Sequence, residues 1–296
     1  MIAPSETTST QTTEPPALPV TIILPPRGWR SLKLRELWEY RELLYFLAMR
    51  DVKVRYKQTG LGVAWALLQP FVTMVVFTFV FQKMAGLKAD NNIPYPIFTF
   101  AALLPWQLFA GALPRISNSL VGNANLLTKV YFPRMAIPLA ALGAGLVDFL
   151  ISFGLLVVLI LWYSLRSPDW HFAWSWALLM LPLFVLLAVL SSLAVGLWFA
   201  ALNVQYRDVQ YITPFLVQVW MFVSPVVYSV NEVHGAWRVV YGLNPMVGVI
   251  QGFRWALLGG LPPDAMMAVS VGMVVLLLIG GLYFFRYMER YFADVI

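Results

Sequence analysis

The sequence predicts an all-α integral membrane protein with six membrane-crossing helices, and three observations predict it. First, 60% of the 296 residues are apolar and only 11% charged, with a mean hydropathy of +0.74. Soluble domains carry roughly a quarter charged residues, so a water-soluble globule is excluded. Second, six stretches of low charge each exceed the ~20 helical residues that cross a hydrocarbon core about 30 Å thick. They are 58–82, 91–114, 135–165 with Asp148 inside it, 170–206, 209–231 and 265–285. Third, Lys and Arg are unevenly placed. With both termini on one side, that side holds fifteen of the 20 basic residues, including Arg115, Lys129, Arg134, Arg207, Arg286 and Arg290. The excess of positive charge marks that side as cytoplasmic.

Taken in order, residues 1–28 read as a disordered cytoplasmic leader, and residues 29–296 as the membrane domain. The leader has six prolines up to Pro26 and its first basic residue at Arg27. It lacks the basic start and apolar core of a signal peptide. Over Trp29–Lys57, Leu34, Leu37, Tyr40, Leu44 and Leu47 share one helical arc, with Arg35, Glu39 and Glu42 opposite. That pattern predicts an amphipathic helix in the cytoplasmic interface; a soluble helix packed on a neighbouring subunit is the alternative. Val239–Leu261 is apolar but holds Arg254 and is broken at Gly242, Asn244-Pro245 and Gly259-Gly260. Two re-entrant half-helices fit it better than a crossing, because irregular backbone at membrane depth has to be sheltered by protein. Prolines 70, 105, 114, 138, 182, 214 and 225 fall in spans one to five, where interior proline invites kinks. Small-residue pairs such as Ala141–Gly145 and Gly248–Gly252 permit close backbone approach.

Much chemistry is absent. With no cysteine and two histidines, a disulfide framework, a thiolate metal site and a cysteine nucleophile are all excluded. No G-x-x-x-x-G-K-[ST] string occurs, so the chain does not cradle nucleotide by that device. An ion-coupled carrier needs several ionisable groups within its spans, and only Asp148 lies well inside one. That carboxylate reads either as a switch or substrate contact, or as a structural group hydrogen-bonded to Ser, Thr or Trp of a neighbouring helix. A membrane-embedded glycosyl- or phosphotransferase would need clustered interface carboxylates, and the acids instead flank the spans.

Particular strings carry a resemblance. They are Arg50-Asp51-Val52-Lys53-Val54-Arg55-Tyr56-Lys57, then Asn123-Ala124-Asn125-Leu126-Leu127, Lys129-Val130-Tyr131-Phe132-Pro133-Arg134, Leu202-Asn203-Val204-Gln205-Tyr206-Arg207-Asp208, Ser224-Pro225, and Leu243-Asn244-Pro245-Met246. In this order over about residues 29–296 the chain resembles the membrane subunit of bacterial ABC polysaccharide exporters, which move O-antigen, capsule or teichoic acid chains. The resemblance implies six membrane helices, an N-terminal interface helix and re-entrant helices between the fifth and sixth. It implies a homodimer in the inner membrane, working with two copies of a separate ATPase that holds ATP and Mg, on a lipid-linked polysaccharide. No cofactor in this chain and no nucleic-acid partner are expected. A permease of the same architecture for a drug, peptide or lipid is the near alternative.

Site residues follow from the same reading. Asn123, Asn125, Leu126 and Lys129 fall in a coupling segment near Ser119–Thr128 that would meet the ATPase. Arg50, Lys53, Arg55 and Lys57 sit at headgroup level, either as positive anchors or as contacts for a lipid phosphate. Arg207 and Asp208 either contact the ATPase, close a cytoplasmic gate or form a local ion pair. Phe132-Pro133-Arg134 reads as the turn that holds the coupling segment against span three. Twelve Trp contribute to the aromatic content. Trp162, Trp170, Trp174 and Trp176 read as an interface belt. Trp106, Phe109, Trp198, Trp220, Phe222 and Tyr228 are candidates to line a sugar channel, with helix packing or lipid contact as the alternative. Asn244, Pro245 and Arg254 mark the re-entrant region.

Overall fold

The computed structural model describes residues 34–57, 62–168, 170–172, 174–235 and 237–292, and everything described lies in one compact unit beginning at Leu32. The leader, the start of the predicted interface helix before Leu34 and the start of the first span before Gly62 lie outside the described residues. Among the described residues there are α-helices, short 3-10 and π segments, and no strand. The α-helices are α1 Leu34–Glu39, α2 Arg41–Lys57, α3 Gly62–Phe77, α4 Tyr95–Gly122, α5 Ala124–Lys129, α6 Ala136–Ala140, α7 Leu142–Arg166, α8 Leu181–Gln205, α9 Val209–Phe222, α10 Trp237–Gly242, α11 Pro245–Leu258 and α12 Ala265–Glu289.

Among the described residues, five continuous helical stretches have the length and composition to cross a membrane: Ala64–Met84, Tyr95–Gly122, Ala136–Arg166, Trp176–Gln205 and Ala265–Glu289. They coincide with five of the six predicted crossings. The sixth, 209–231, is helical only over the 14 residues of α9. At 1.5 Å per residue, α9 alone spans about 21 Å, short of the ~30 Å core. The reason is local: Pro225 has no N–H with which to extend the ladder past Phe222. The chain continues through turns to a 3-10 segment at Val230–Glu232. The region read as two half-helices does contain two helices, α10 and α11, with the break at Leu243-Asn244.

The helix ends follow ordinary capping. Asp264 Oδ1 accepts the Met267 N–H at 3.1 Å and Asn244 Oδ1 accepts the Met246 N–H at 3.0 Å, each satisfying an otherwise orphaned donor of the first turn. Pro182 and Pro245 occupy the first turns of α8 and α11, where a missing N–H costs nothing. Pro182 is therefore a helix-start residue rather than a kink. Gly259 ends α11 in the left-handed conformation at φ 67°, and the Gly260 N–H closes back on the Arg254 carbonyl. Pro70, Pro105, Pro114 and Pro214 do lie inside helices.

α4 is the axis of the bundle. Its long apolar stretch is mostly buried, and α3, α7, α8, α9 and α11 surround it, while α12 closes the outside against α8 and α11. Ile97, Phe100, Phe109, Leu113 and Ile116 on α4 are fully buried. By contrast α3 leaves Trp65, Phe71, Val75 and Val76 on the surface. Between apolar helices in lipid there is little hydrophobic driving force, because acyl chains are as apolar as leucine, so association rests on close packing. Glycines supply it: Gly252 of α11 receives the Phe184 ring of α8, Gly196 of α8 receives Ile116 of α4, and Gly143 of α7 receives Ala48 of α2. The Gly248 face meets Ser270 of α12, so both glycines of the Gly248–Gly252 pair serve packing within the chain.

The amphipathic segment is two helices, with a turn at Tyr40. Leu47 is buried, and Leu37, Tyr40 and Leu43 pack with it on the cluster formed by α6, α8 and the end of α12. Trp38, Tyr45 and Phe46 stay exposed. α2 therefore docks on its own bundle while presenting aromatic side chains outward.

An ideal Cβ at Gly252 would lie 2.3 Å from the Phe184 ring, whereas one at Gly272 would meet nothing within 4 Å. Gly252→Ala is expected to destabilise the protein by about 1–3 kcal/mol through overpacking. Gly272→Ala is expected to be neutral or slightly stabilising. Thermal unfolding of the detergent-solubilised protein measures both.

Candidate functional site

Helices of the bundle run between two ends, and the end where α4, α8 and α12 finish and α2 docks carries most of the cations. Asp148, in the second turn of α7, is the centre of that end. Its Oδ2 meets Arg55 at 2.9 Å and Arg115 at 3.3 Å, and its Oδ1 accepts the Tyr56 hydroxyl. The expectation of Ser, Thr or Trp partners is thus corrected: the carboxylate is held by two guanidinium groups and a phenol. The cluster joins three elements, α2, α4 and α7. Burial, then the hydrogen bond to Asp148 and its negative charge, push the Tyr56 phenol up to about 12, so Tyr56 stays a donor at neutral pH.

Beside this cluster is a cavity of about 500 Å³, lined from α2 by Arg50, Asp51 and Arg55, from α4 by Arg115, Asn118 and Ser119, and from α6 and α7 by apolar side chains. Arg50 pairs with Asp51 at 2.8 Å. Asn203 of α8, fully buried, donates to the Ser117 carbonyl and to Asn118 Oδ1 at 3.0 and 2.8 Å. That fixes α8 to α4 next to the cavity. Lys53 and Lys57 are exposed. Arg207 and Asp208 are exposed in the turn between α8 and α9, and they do not form the local ion pair with each other. Asp208 instead offers its backbone carbonyl to the Tyr211 N–H at 3.0 Å.

The predicted coupling segment is α5 and its flanks. Asn123 separates α4 from α5, donating from Nδ2 to the Ser119 carbonyl at 2.8 Å, which caps α4. Leu126 and Leu127 pack inward on the bundle. Asn125 and Lys129 are exposed, and Val130 and Tyr131 follow with 51% and 70% of their surface uncovered. Beyond them Phe132 is buried, and Arg134 donates to the Glu289 carbonyl and lies over the Phe292 ring. Arg134 therefore ties the segment's far end to α12 as well as leading into α6.

At the opposite end, Arg254 of α11 is 5% exposed. Its guanidinium donates to the carbonyls of Val226, Tyr228 and Phe98 at 2.8, 3.1 and 3.3 Å and lies on the Phe98 ring at 3.5 Å. Asn244 is similarly saturated. Its Oδ1 accepts from Trp220 Nε1 as well as Met246 N, its Nδ2 donates to Val223 O and Ser224 Oγ, and its carbonyl accepts from Ser270. Pro245 is buried at the start of α11.

The aromatic candidates separate by environment. Trp106 and Phe109 are buried in the core, Phe109 edge-on to Trp220. Trp198 donates to the Leu277 carbonyl and stacks on Phe284, packed against Gly280 and Gly281. The Tyr228 hydroxyl meets that of Tyr241 at 2.6 Å. Phe222 is exposed and continues a stripe on α9 with Tyr211, Phe215 and Val219. Of the belt residues, Trp162, Trp174 and Trp176 are exposed, while Trp170 is buried.

Sequence reasoning missed Arg115, Tyr56, Asn118 and Asn203 as members of the site. Arg115 counted only as one more basic residue on the positive side. A signal was available: an arginine two turns inside an otherwise apolar helix demands an anion, and Asp148 is the one acid inside a span.

Compared with known proteins, residues 42–258 match the family model described as "ABC-2 type transporter". The chain is 33% identical over 249 residues to the O-antigen export system permease protein RfbA of Myxococcus xanthus, covering 82% of this chain and 92% of that one. It is 25% identical to the protein of the same name from Klebsiella pneumoniae, over 86% of this chain and 95% of that one. It is 24% identical to the polysialic acid transport protein KpsM of Escherichia coli, over 82% and 92%.

Tyr56→Phe is expected to loosen α2 from the bundle by about 1.5–3 kcal/mol, the worth of a hydrogen bond to a charged group. Asp148→Leu costs more, because two guanidinium groups lose their shared anion. Faster tryptic cleavage within α2 under native conditions measures the loosening.

Proposed function

The chain belongs to the ABC-2 type transporter family, and we propose that it exports a lipid-linked polysaccharide across the bacterial inner membrane, driven by ATP hydrolysis on a separate subunit. It is a transport permease and not an enzyme: its relatives are permeases, and the ATPase is a different chain. The observation that carries the glycan is the 33% identity, along nearly the whole membrane domain, to a protein named for O-antigen export.

In this reading two copies form the channel, and each binds one ATPase subunit carrying ATP and Mg. Six crossings, with α9 and the turns after it as the fifth, put both termini in the cytoplasm, and α1 and α2 lie at the membrane surface. α10 and α11 dip into the outer half and return, so that Asn244, Pro245 and Arg254 hold a re-entrant turn. Asn125, Lys129 and Tyr131 face the ATPase, while Asn123, Leu126 and Leu127 transmit its movement to α4 and α6. Arg50, Lys53, Arg55 and Lys57 meet the phosphate of the lipid carrier, and Arg207 and Asp208 border the same cytoplasmic mouth.

For the channel wall, the aromatic stripe of α9 has the required chemistry. Phe222 and Tyr211 are exposed on this chain, Trp220 and Tyr228 are partly so, and sugar C–H faces stack on such rings without directional bonds. Phe109 supports that wall from behind through Trp220, with Trp106 beside it, while Trp198 packs on α12. A nucleotide-driven change in the coupling segment opens the channel only if the ATPase binds the two conformations with different free energies.

Deleting the gene is expected to strand the lipid-linked glycan inside the cell, and identification of a different stranded amphiphile would replace the polysaccharide by that compound. Tyr131→Ala is expected to weaken co-purification of the ATPase about tenfold, the size of an interface aromatic worth ~1.4 kcal/mol, with unchanged membrane insertion. Affinity measured between the detergent-solubilised subunits checks it.

A further inference from the structure

The turn that follows α5 and the end of α12 meet at the basic end of the bundle. Phe132 and Phe292 are buried in one apolar cluster, and Leu126 and Leu127 of α5 pack against it. Arg134 donates to the Glu289 carbonyl and lies over the Phe292 ring, which sits edge-on to Phe285 at 5.4 Å. The Glu289 carboxylate is held in turn by Arg286 at 2.5 Å. A carbonyl in the last turn of a helix has no partner within the helix, so Arg134 answers an orphaned acceptor. Its charge also complements the negative end of the helix dipole. The turn after α5 therefore grips α12 by its end.

At its other end α12 grips both helices of the broken pair. Arg238 of α10 meets Asp264, the N-cap of α12, at 2.6 Å. The buried Ser270 hydroxyl shares its proton between the Asn244 and Pro245 carbonyls at 2.9 and 3.0 Å, and accepts the Gly248 N–H at 3.1 Å. Between the two joints α12 runs 25 residues with no proline. At 1.5 Å per residue that is about 37 Å of straight helix. By contrast α3, α4 and α9 carry interior prolines, where lost ladder bonds let a helix bend. α8 packs along α12, with Trp198 seated on Gly280 and Gly281 and donating to the Leu277 carbonyl at 3.0 Å. An unkinked helix that is braced along its side and bonded at both ends moves as a unit.

We propose that α12 is a transmission rod: movement imposed on the coupling segment enters α12 through Arg134 and is delivered by Ser270 and Asp264 to α10 and α11. The proposal rests on the reading of α5 and its flanks as the ATPase contact, and it adds where the movement goes. α4 continues directly from α5, but the Asn123 break and the prolines at 105 and 114 lie in its path. They absorb a displacement that α12 passes on. Arg134 and Ser270 are thus positioning residues, one at each joint. The arrangement of the broken pair then depends on the nucleotide state of a subunit at the far end of the bundle, provided that the ATPase holds the turn differently in its two states.

The test is the fluorescence of bimane attached at Val239→Cys, an exposed position on α10 in a chain with no cysteine of its own, in the complex with its ATPase. Trapping the ATPase with vanadate is expected to shift the emission. Arg134→Ala and Ser270→Ala are each expected to abolish the shift while ATP hydrolysis continues. Glycan exported per ATP hydrolysed then falls about fivefold or more, the low end of coupling between sites. Arg134→Lys, which keeps a donor and a cation over Phe292, restores both. Val275 and Leu276 are exposed on α12. Glycine at both softens the helix and is expected to abolish the shift, whereas alanine at both makes the same truncation in a stiff helix and preserves it. If Arg134→Ala also sheds the ATPase, Ser270→Ala and the glycine pair decide. A shift that survives either of these overturns the proposal, as does the lack of any shift in the otherwise unaltered complex. A chain that binds no ATPase overturns the wider functional reading, and a shift in a complex that exports no glycan removes the polysaccharide alone.

Discussion

Helices broken inside an apolar bundle survive only if something within the protein answers the carbonyls and amides they expose. Here Arg254 and Asn244 do this. Where α9 stops, the chain runs through turns from Val223 to Tyr228, and the carbonyls of Val223, Val226 and Tyr228 point at these two side chains. Arg254 brings its charge with it and spreads it over three carbonyl oxygens and the face of Phe98. The helix–turn–helix of α10 and α11, its attachment to α12 through Ser270, and the position of Trp220 all follow from that saturation. Asp90, bonded to Ser229 and Asn231, fixes the loop on the same side.

The two ends of the bundle therefore manage charge by opposite means. At one, the buried Arg254 guanidinium is answered by three backbone carbonyls and an aromatic face. At the other, Asp148 is shared by Arg55, Arg115 and Tyr56, beside a cavity that opens between α2, α4, α6 and α7. The helices that join the two ends, α4 above all, are packed closely enough to keep them in register.

The all-helical class, five of the crossings and the Asn244-Pro245 break were legible because each is a local property: a charge-free run or a proline. What was not legible came from pairing at a distance. Asp148 and Tyr56 are far apart in sequence, and nothing in either neighbourhood names the other. Hydropathy also does not separate the core from the lipid when both are apolar. Trp106 and Phe222 look alike as sequence, yet one is buried against α4's neighbours and the other is on the surface. The length of α9 was overread for a related reason: counting uncharged residues through Ser224-Pro225 measures apolar reach, not helix.

The central position of α4 has a consequence for how the protein is made. Of the helices that wrap it, only α3 precedes it from the ribosome; α7, α8, α9 and α11 are synthesised later. A nascent α4 leaves the translocon with its arginine ahead of the carboxylate that will neutralise it, and with an inward-facing wall of Asn118 and Ser117 still waiting for Asn203. Maturation of this chain is thus a sequence of deferred pairings. A half-finished product carries, at its own centre, the polar signal by which membrane quality control can tell it from the completed bundle.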